Sequence, residues 1–176
     1  MAKNRNVPIF RTAPETILLT EREVARLIDL RRIIRVVREA FCAMARGQAV
    51  MPPKVYLPLP GGSDFRAMPA FLRRPPACGI KWVNVHLANR TKHLPTVMAV
   101  IVINDPATGV PLAVMDGLLI TKLRTAAAAA VAAEALARPG SRTAALIGCG
   151  AQAETQVRAL TEVRPIRAVR VWGHQA

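Results

Sequence analysis

The sequence predicts an α/β protein in two parts, an α+β region followed by a single β-α-β unit, and three observations carry that reading. A helix pair opens on a capping box near residue 20, the middle is made of short β-branched segments set between turn formers, and near residue 148 a glycine-rich turn joins an apolar strand to a helix. With 176 residues, the chain has room for one full domain with a core and a piece of a second, since ~100–150 residues is the usual domain size.

Thr20-Glu21-Arg22-Glu23 has the capping-box pattern, Thr at the N-cap and Glu three residues later, and starts a helix with Val24, Leu27 and Ile28 on one face. Asp29 caps a second helix, in which Ile33, Ile34, Val37, Phe41 and Met44 recur at helical spacing until Gly47, with Arg46 in the last turn. These apolar residues are read as core. From Val50 the texture changes: Pro52, Pro53, Pro58, Pro60 and Gly61-Gly62 exclude helix and leave 55–59 and 65–71 as strands or loops. Residues 80–86, 96–104 and 111–115 are rich in β-branched side chains, and Asp105-Pro106-Ala107-Thr108-Gly109 is a turn joining two of them, so the middle is a mostly antiparallel or mixed sheet. A helix begins at Thr121, is dominated by alanine through 122–138, and stops at Pro139-Gly140. A buried strand at 142–147, a helix at 154–160 and a strand at 168–172 then make one β-α-β unit.

A hydrophobic content of 52% against 20% charged residues describes a globular chain. The net charge of +14 raises nucleic acid or an anionic membrane as partner, but the arginines are dispersed and aromatic residues amount to 4%, which leaves little to stack on bases. Neither partner is expected. Cys42, Cys78 and Cys149 have no C-x-x-C spacing and are odd in number, so neither a disulfide framework nor a zinc site is indicated, and a reducing cytoplasm is the expected compartment. The start, residues 1–11, is polar and basic, and no run approaches the ~20 apolar residues that span a bilayer.

Three groups carry candidate chemistry. Gly148-Cys149-Gly150-Ala151-Gln152-Ala153 is G-x-G-x-x-A between strand and helix, the fingerprint of a Rossmann unit. Gly148 permits the tight turn, Gly150 lets the backbone approach a pyrophosphate, Ala153 keeps helix and strand close, and the helix N-terminus offers free N–H groups. The alternative is a tight turn that holds no ligand. The acidic residue that would hold the ribose belongs about 20 residues on, where this chain has Gly173-His174, so NAD and NADP are not distinguished. Arg124 and Thr125 fall in the first turn of the alanine-rich helix, where the helix dipole disfavours a cation; Arg124 then faces an anion or lies on the surface by accident. Lys81, on a strand among apolar neighbours, either extends its stem to solvent or has its pKa lowered for acid–base or imine work.

Met51-Pro52-Pro53-Lys54, Met68-Pro69-Ala70, Gly79-Ile80-Lys81-Trp82-Val83-Asn84, the stretch 94–106, Ala113-Val114-Met115-Asp116-Gly117, Arg124-Thr125 and the Gly148 turn occur in one order. In that order the chain resembles the ornithine cyclodeaminase and mu-crystallin family, which includes archaeal-type alanine dehydrogenases and ketimine reductases, from about residue 18 to the C-terminus. The resemblance implies a substrate and dimerisation domain over 1–120, then over 121–176 a linking helix and the start of a truncated NAD(P)-binding Rossmann domain, in a protein that is a homodimer when intact. It implies that Lys81 is a catalytic, substrate-contacting lysine, that Arg124 and Lys54 meet the substrate carboxylate, that Arg124 also lies near the cofactor phosphates, and that Thr96, Thr125, Gly148, Gly150, Ala151 and Gln152 contact NAD or NADP.

The chemistry so implied is hydride transfer at a carbon bearing an amine or imine, which requires cations for the carboxylate and a proton donor or acceptor near nitrogen. Ornithine cyclodeaminases, as the resemblance goes, carry arginine at the position of Lys54 and glutamate near that of Arg66. A guanidinium repels an ammonium. The Lys54 and Arg66 pair therefore resembles the alanine dehydrogenase-like members, and the expected substrate is a small amino or imino acid without a distal ammonium. The family's catalytic aspartate, remaining Rossmann strands and return segment belong after Ala176, so the chain alone is expected to bind cofactor weakly and to show no turnover. A non-enzymatic small-molecule binder, as in mu-crystallins, is the alternative.

Overall fold

A strand, β1 (Ile17–Leu19), leads into helix α1 (Glu21–Leu27), where Thr20 Oγ1 accepts from the Glu23 amide and the Glu23 carboxylate accepts from the Thr20 amide at 2.8 Å. The computed structural model describes residues 15–173; residues 1–11 and His174 thus lie outside the described residues. Asp29 caps α2 (Leu30–Ala45) through the Arg32 amide, and Gly47, at φ +67°, ends it. The strands β2 (Ala49–Val50), β3 (Val55–Pro58), β4 (Asp64–Leu72), β5 (Ala77–Val85), β6 (Val97–Asn104) and β7 (Pro111–Asp116) follow, with short 3₁₀ turns at Pro60–Gly62 and Leu87–Lys92. The first of these is a three-residue turn whose Gly61 and Gly62, both at φ +76°, leave the helical region, in keeping with the exclusion of helix from this stretch. Then come α3 (Leu118–Leu136), β8 (Thr143–Ile147), α4 (Ala153–Val163) and β9 (Ala168–Trp172).

Seven strands form one mixed sheet in the order β1-β7-β6-β5-β4-β2, with β3 also on β4. All pairs are antiparallel except β1 with β7. The Asp105–Gly109 turn closes the β6–β7 hairpin as expected: the Gly109 amide donates to the Asp105 carbonyl at 2.8 Å, and the Asp105 carboxylate accepts from Ala107 N–H and Thr108 O–H. β8 and β9 make a separate parallel pair crossed by α4. The architecture is α/β, an N-terminal sheet with helices followed by a β-α-β unit.

Helices α2, α3 and α4 lie together on one buried cluster, Ile34, Ala126, Ala127, Ala130 and Ala159. Alanine makes this packing close, because a methyl side chain keeps facing helices near the short end of the usual spacing of about 8–10 Å. Arg164 bridges the ends of two helices by donating to the carbonyls of Glu134 and Ala137 on the last turn of α3 and just beyond it. α3 meets the sheet at Gly117, where a Cβ would stand 2.9 Å from the Cβ of Ala99.

Two burial expectations are corrected. Val24 and Ile34 are core, but Leu27, Phe41 and Met44 are exposed; Phe41 and Met44 border a cleft between α2 and the sheet. The strand read as buried, β8, is not, and Ile147 is 80% exposed, because α4 covers one side of the β8–β9 pair and no described element covers the other.

Candidate active site

Strand register places the first group. Met68, Lys81, Ile101 and Met115 are direct cross-strand neighbours on β4, β5, β6 and β7. Lys81 therefore rises from the middle of the sheet. Ala99 and Val83 share this face, and α3 packs on Ala99, so the lysine points to the helical side. Arg124 approaches from α3. Both line a cleft of about 490 Å³ whose other walls include Phe41, Met51, Met68 and Ile101.

The helix start corrects the reading of Arg124. α3 begins at Leu118, whose amide donates to the Asp116 carboxylate at 2.8 Å, so Arg124 and Thr125 lie in the second turn and not the first. Their placement says nothing about the dipole, which fades within one turn. What points Arg124 to an anion is its surroundings: burial lowers its pKa, and it faces Lys81. The pKa of Lys81 is lowered from 10.5 to about 8, first by burial and then by the positive charges of Arg124, Lys54 and Arg66. Four cations thus converge across three segments and one helix. Among the described residues, Lys54, Lys81 and Arg124 pair with no carboxylate. Like charges gathered in a half-buried cleft create a strong potential for an anion.

Arg66 differs. Its Nε and one terminal nitrogen donate to Asp64 at 2.7 and 2.9 Å, and its guanidinium carbon lies 5.2 Å over the Tyr56 ring. Neither Asp64 nor Tyr56 is found by motif, yet their positions are readable: residues two apart on a strand share a face, and Tyr56 is the cross-strand neighbour of Arg66. Thr121, at the residue where the alanine-rich helix was expected to begin, buries its hydroxyl with no partner among the described residues.

The second group is the β8–α4 turn. Gly148 has φ +101° and donates to the Trp172 carbonyl at 2.7 Å, tying the turn to β9. A Cβ on Gly148 or Gly150 would meet nothing within 4 Å, so the space above the turn is open. Gln152 buries its Oε1 without a partner among the described residues at the start of α4, and the helix has no side-chain cap there. Open space, an unpaired polar atom and free helix N–H groups suit a dinucleotide pyrophosphate. Ala151 lies in the same turn. Gly173 has Cys149 Sγ 2.7 Å from where its Cβ would be, a contact that a rotation of the exposed cysteine would relieve. Thr125 spends its hydroxyl on the Thr121 carbonyl at 2.6 Å, and Thr96 precedes β6, its carbonyl accepting from His86 N–H. No described contact ties Thr96 to either group.

Fold and site together define a class of protein: a cation-lined mixed sheet joined through one helix to the opening unit of a dinucleotide-binding fold. The chain belongs to the ornithine cyclodeaminase/mu-crystallin family, which it matches over residues 14–176. It is similar to the alanine dehydrogenase of Archaeoglobus fulgidus, with 49% identity over 158 residues, 90% of this chain and 48% of that one. An archaeal alanine dehydrogenase dimer with bound NAD aligns with a TM-score of 0.86 at 48% identity, over 90% of this chain and 48% of that one. The Δ1-pyrroline-2-carboxylate reductase of Thermococcus litoralis, in complex with NADH and L-proline, aligns with a TM-score of 0.88 at 37% identity, over 91% and 50%. The chain spans about half the length of the relatives it matches. No helix among the described residues is long and apolar enough to cross a membrane.

Proposed function

We propose that this protein carries the substrate pocket and phosphate-binding turn of an NAD(P)-dependent oxidoreductase acting at the amine- or imine-bearing carbon of a small amino or imino acid. The convergence of Lys54, Arg66 and Arg124 on Lys81 is the observation that supports it. When bound at the Gly148 turn, NAD(P) would supply or accept the hydride. Arg124 and Lys54 hold the substrate carboxylate, which offsets their mutual repulsion. Lys81, with a pKa of about 8, is roughly nine-tenths protonated at pH 7 and so donates a proton near the reacting nitrogen or oxygen, then accepts one in the reverse direction. Arg66 disfavours a distal ammonium, so alanine dehydrogenase- or ketimine reductase-like chemistry is preferred to ornithine cyclisation.

The division of labour proposed is a substrate and dimerisation part over 1–120 and a linking helix with the first cofactor-binding unit over 121–176. The exposed apolar residues Ile147, Val171 and Trp172 leave that unit without cover on one side, and turnover by the chain alone is not expected. A chimera tests the reading: residues 1–173 joined to the second half of the archaeal alanine dehydrogenase. It is expected to consume NAD(P)H with pyruvate and ammonia or with a cyclic imino acid. Faster conversion of ornithine to proline would overturn the substrate assignment, ligand binding without turnover would favour a crystallin-like binder, and steady NAD(P)H consumption by the unjoined chain would overturn the expectation that it does not turn over alone.

A second copy of the chain is proposed to cover the sheet's other face. There Val55, Ala67, Trp82 and Val100 form a cross-strand row, Phe65 stacks on Trp82 at 5.2 Å, and Trp82 is 40% exposed. Trp82→Glu is expected to give monomers in sedimentation velocity where the parent chain gives dimers; an unchanged sedimentation coefficient would remove this face from the interface.

A further inference from the structure

We propose that Asp64 and Tyr56 are positioning residues, which fix the Arg66 guanidinium so that its terminal edge is offered, beside Lys54 and Arg124, to the same substrate carboxylate. This rests on the reading of the cleft as an amino- or imino-acid site.

A guanidinium has five N–H donors in one plane, on a side edge formed by Nε and one terminal nitrogen and an end edge formed by both terminal nitrogens. Asp64 takes the side edge, one oxygen on Nε at 2.7 Å and the other on a terminal nitrogen at 2.9 Å. Of the three N–H groups left, the two on the end edge have no partner among the described residues. Tyr56 covers a face of the plane at 5.2 Å. With one edge paired and one face covered, the remaining bidentate edge has a fixed direction. Both members of the pair are largely shielded, with side-chain exposures of 29% for Arg66 and 22% for Asp64, so the geometry is held before any ligand arrives.

Register says where that edge lies. Arg66 has Tyr56 as its neighbour on β3 and Val83 on β5, and Val83 stands two residues from Lys81 on the same face. Asp64, two residues back along β4, is opposite Pro58 on β3 and Val85 on β5, farther from Lys81. The carboxylate thus holds the guanidinium from the side away from the lysine.

The test uses the full chain with and without pyruvate, and pyruvamide as the uncharged comparison. In the ligand-free chain, solvent exchange of the Arg66 Nε–H, followed by NMR, is expected to be the slowest among the arginine side chains, and Asp64→Asn is expected to accelerate it. With ligand, Asp64→Asn is expected to weaken pyruvate binding about tenfold, the size of one charge-assisted hydrogen bond, and pyruvamide binding little. Tyr56→Phe keeps the ring and is expected to retain the parent preference, whereas Tyr56→Leu reduces it. Unchanged exchange in Asp64→Asn overturns the positioning role. Accelerated exchange with equal losses for pyruvate and pyruvamide overturns the carboxylate assignment, because a merely structural pair would act on both ligands alike. Loss of Arg66 order without any pyruvate preference in the parent chain overturns the amino-acid-site reading itself and this proposal with it.

Discussion

Two junctions in this molecule join a strand to a helix through glycine, and they do so for opposite reasons. At β7–α3, the missing side chain of Gly117 is filled by protein, since its Cβ would lie 2.9 Å from Ala99 Cβ and 3.2 Å from the Ala99 backbone. At β8–α4, the space that a Cβ would take on Gly148 or Gly150 is empty to 4 Å. The first glycine lets a helix touch a sheet; the second pair keeps a helix end open. A glycine before a helix is therefore not itself a sign of a ligand. What its absent Cβ would meet decides between packing and binding.

The largest expected effect falls on the filled junction. Gly117→Val forces a branched side chain against Ala99 backbone that cannot swing aside, and overpacking of this kind costs about 2 kcal/mol or more. α3 also carries Arg124, so the cleft should suffer with the fold. Urea denaturation measures the first effect and pyruvate binding the second. A variant as stable as the parent would mean that the α3–sheet seam is looser than the contact distance implies.

The open junction should respond the other way. Gly150→Val places its methyl groups in empty space, and stability is expected to stay within about 0.5 kcal/mol of the parent. If the turn receives a pyrophosphate, the same methyl groups occupy the ligand's position, and NADH affinity, read by fluorescence, should fall about tenfold or more. Equal NADH binding by the two chains would return the turn to a ligand-free role and erase the contrast with Gly117.

The sequence made some of this contrast legible. Thr20 to Glu23 and the Asp105–Gly109 turn were readable because each rests on contacts within four or five residues, and the Gly148 turn because its glycine spacing is a local motif even though Trp172 helps to hold it. The short strand β1 was not, since three residues show no period and its order comes from pairing with β7 across nearly a hundred positions. The start of α3 was misplaced by three residues because Leu118, Leu119 and Ile120 look as much like strand as helix, and the Asp116 carboxylate that fixes the start acts from outside the helix. In the site, residue types such as Lys81 and Arg124 were readable, but not their mutual repulsion, which needs the register of three strands. Leu27, Phe41 and Met44 have core-like periodicity and lie exposed, because periodicity tells which face is apolar and not what covers it.

The smallest effect is a slope, and it connects the filled junction to the charge of the cleft. Lys81 has a folded pKa of about 8 against an ordinary 10.5, so between these values the unfolded chain binds more protons and stability rises with pH. Below about pH 8 the penalty for burying a charged lysine beside Arg124, Lys54 and Arg66 is complete. Lys81→Met removes it. The variant should therefore exceed the parent in stability most clearly at pH 6–7, with the difference shrinking as pH rises toward 10.5, in parallel urea titrations. Pyruvate should narrow the difference at pH 7, because a bound carboxylate compensates the ammonium. In Gly117→Ala, a milder opening of the α3 seam withdraws Arg124 from Lys81, and the slope should move toward higher pH. A slope unchanged in that variant would show that Arg124 adds nothing to the lowering of the lysine, and that the packed glycine does not set the charge of the site.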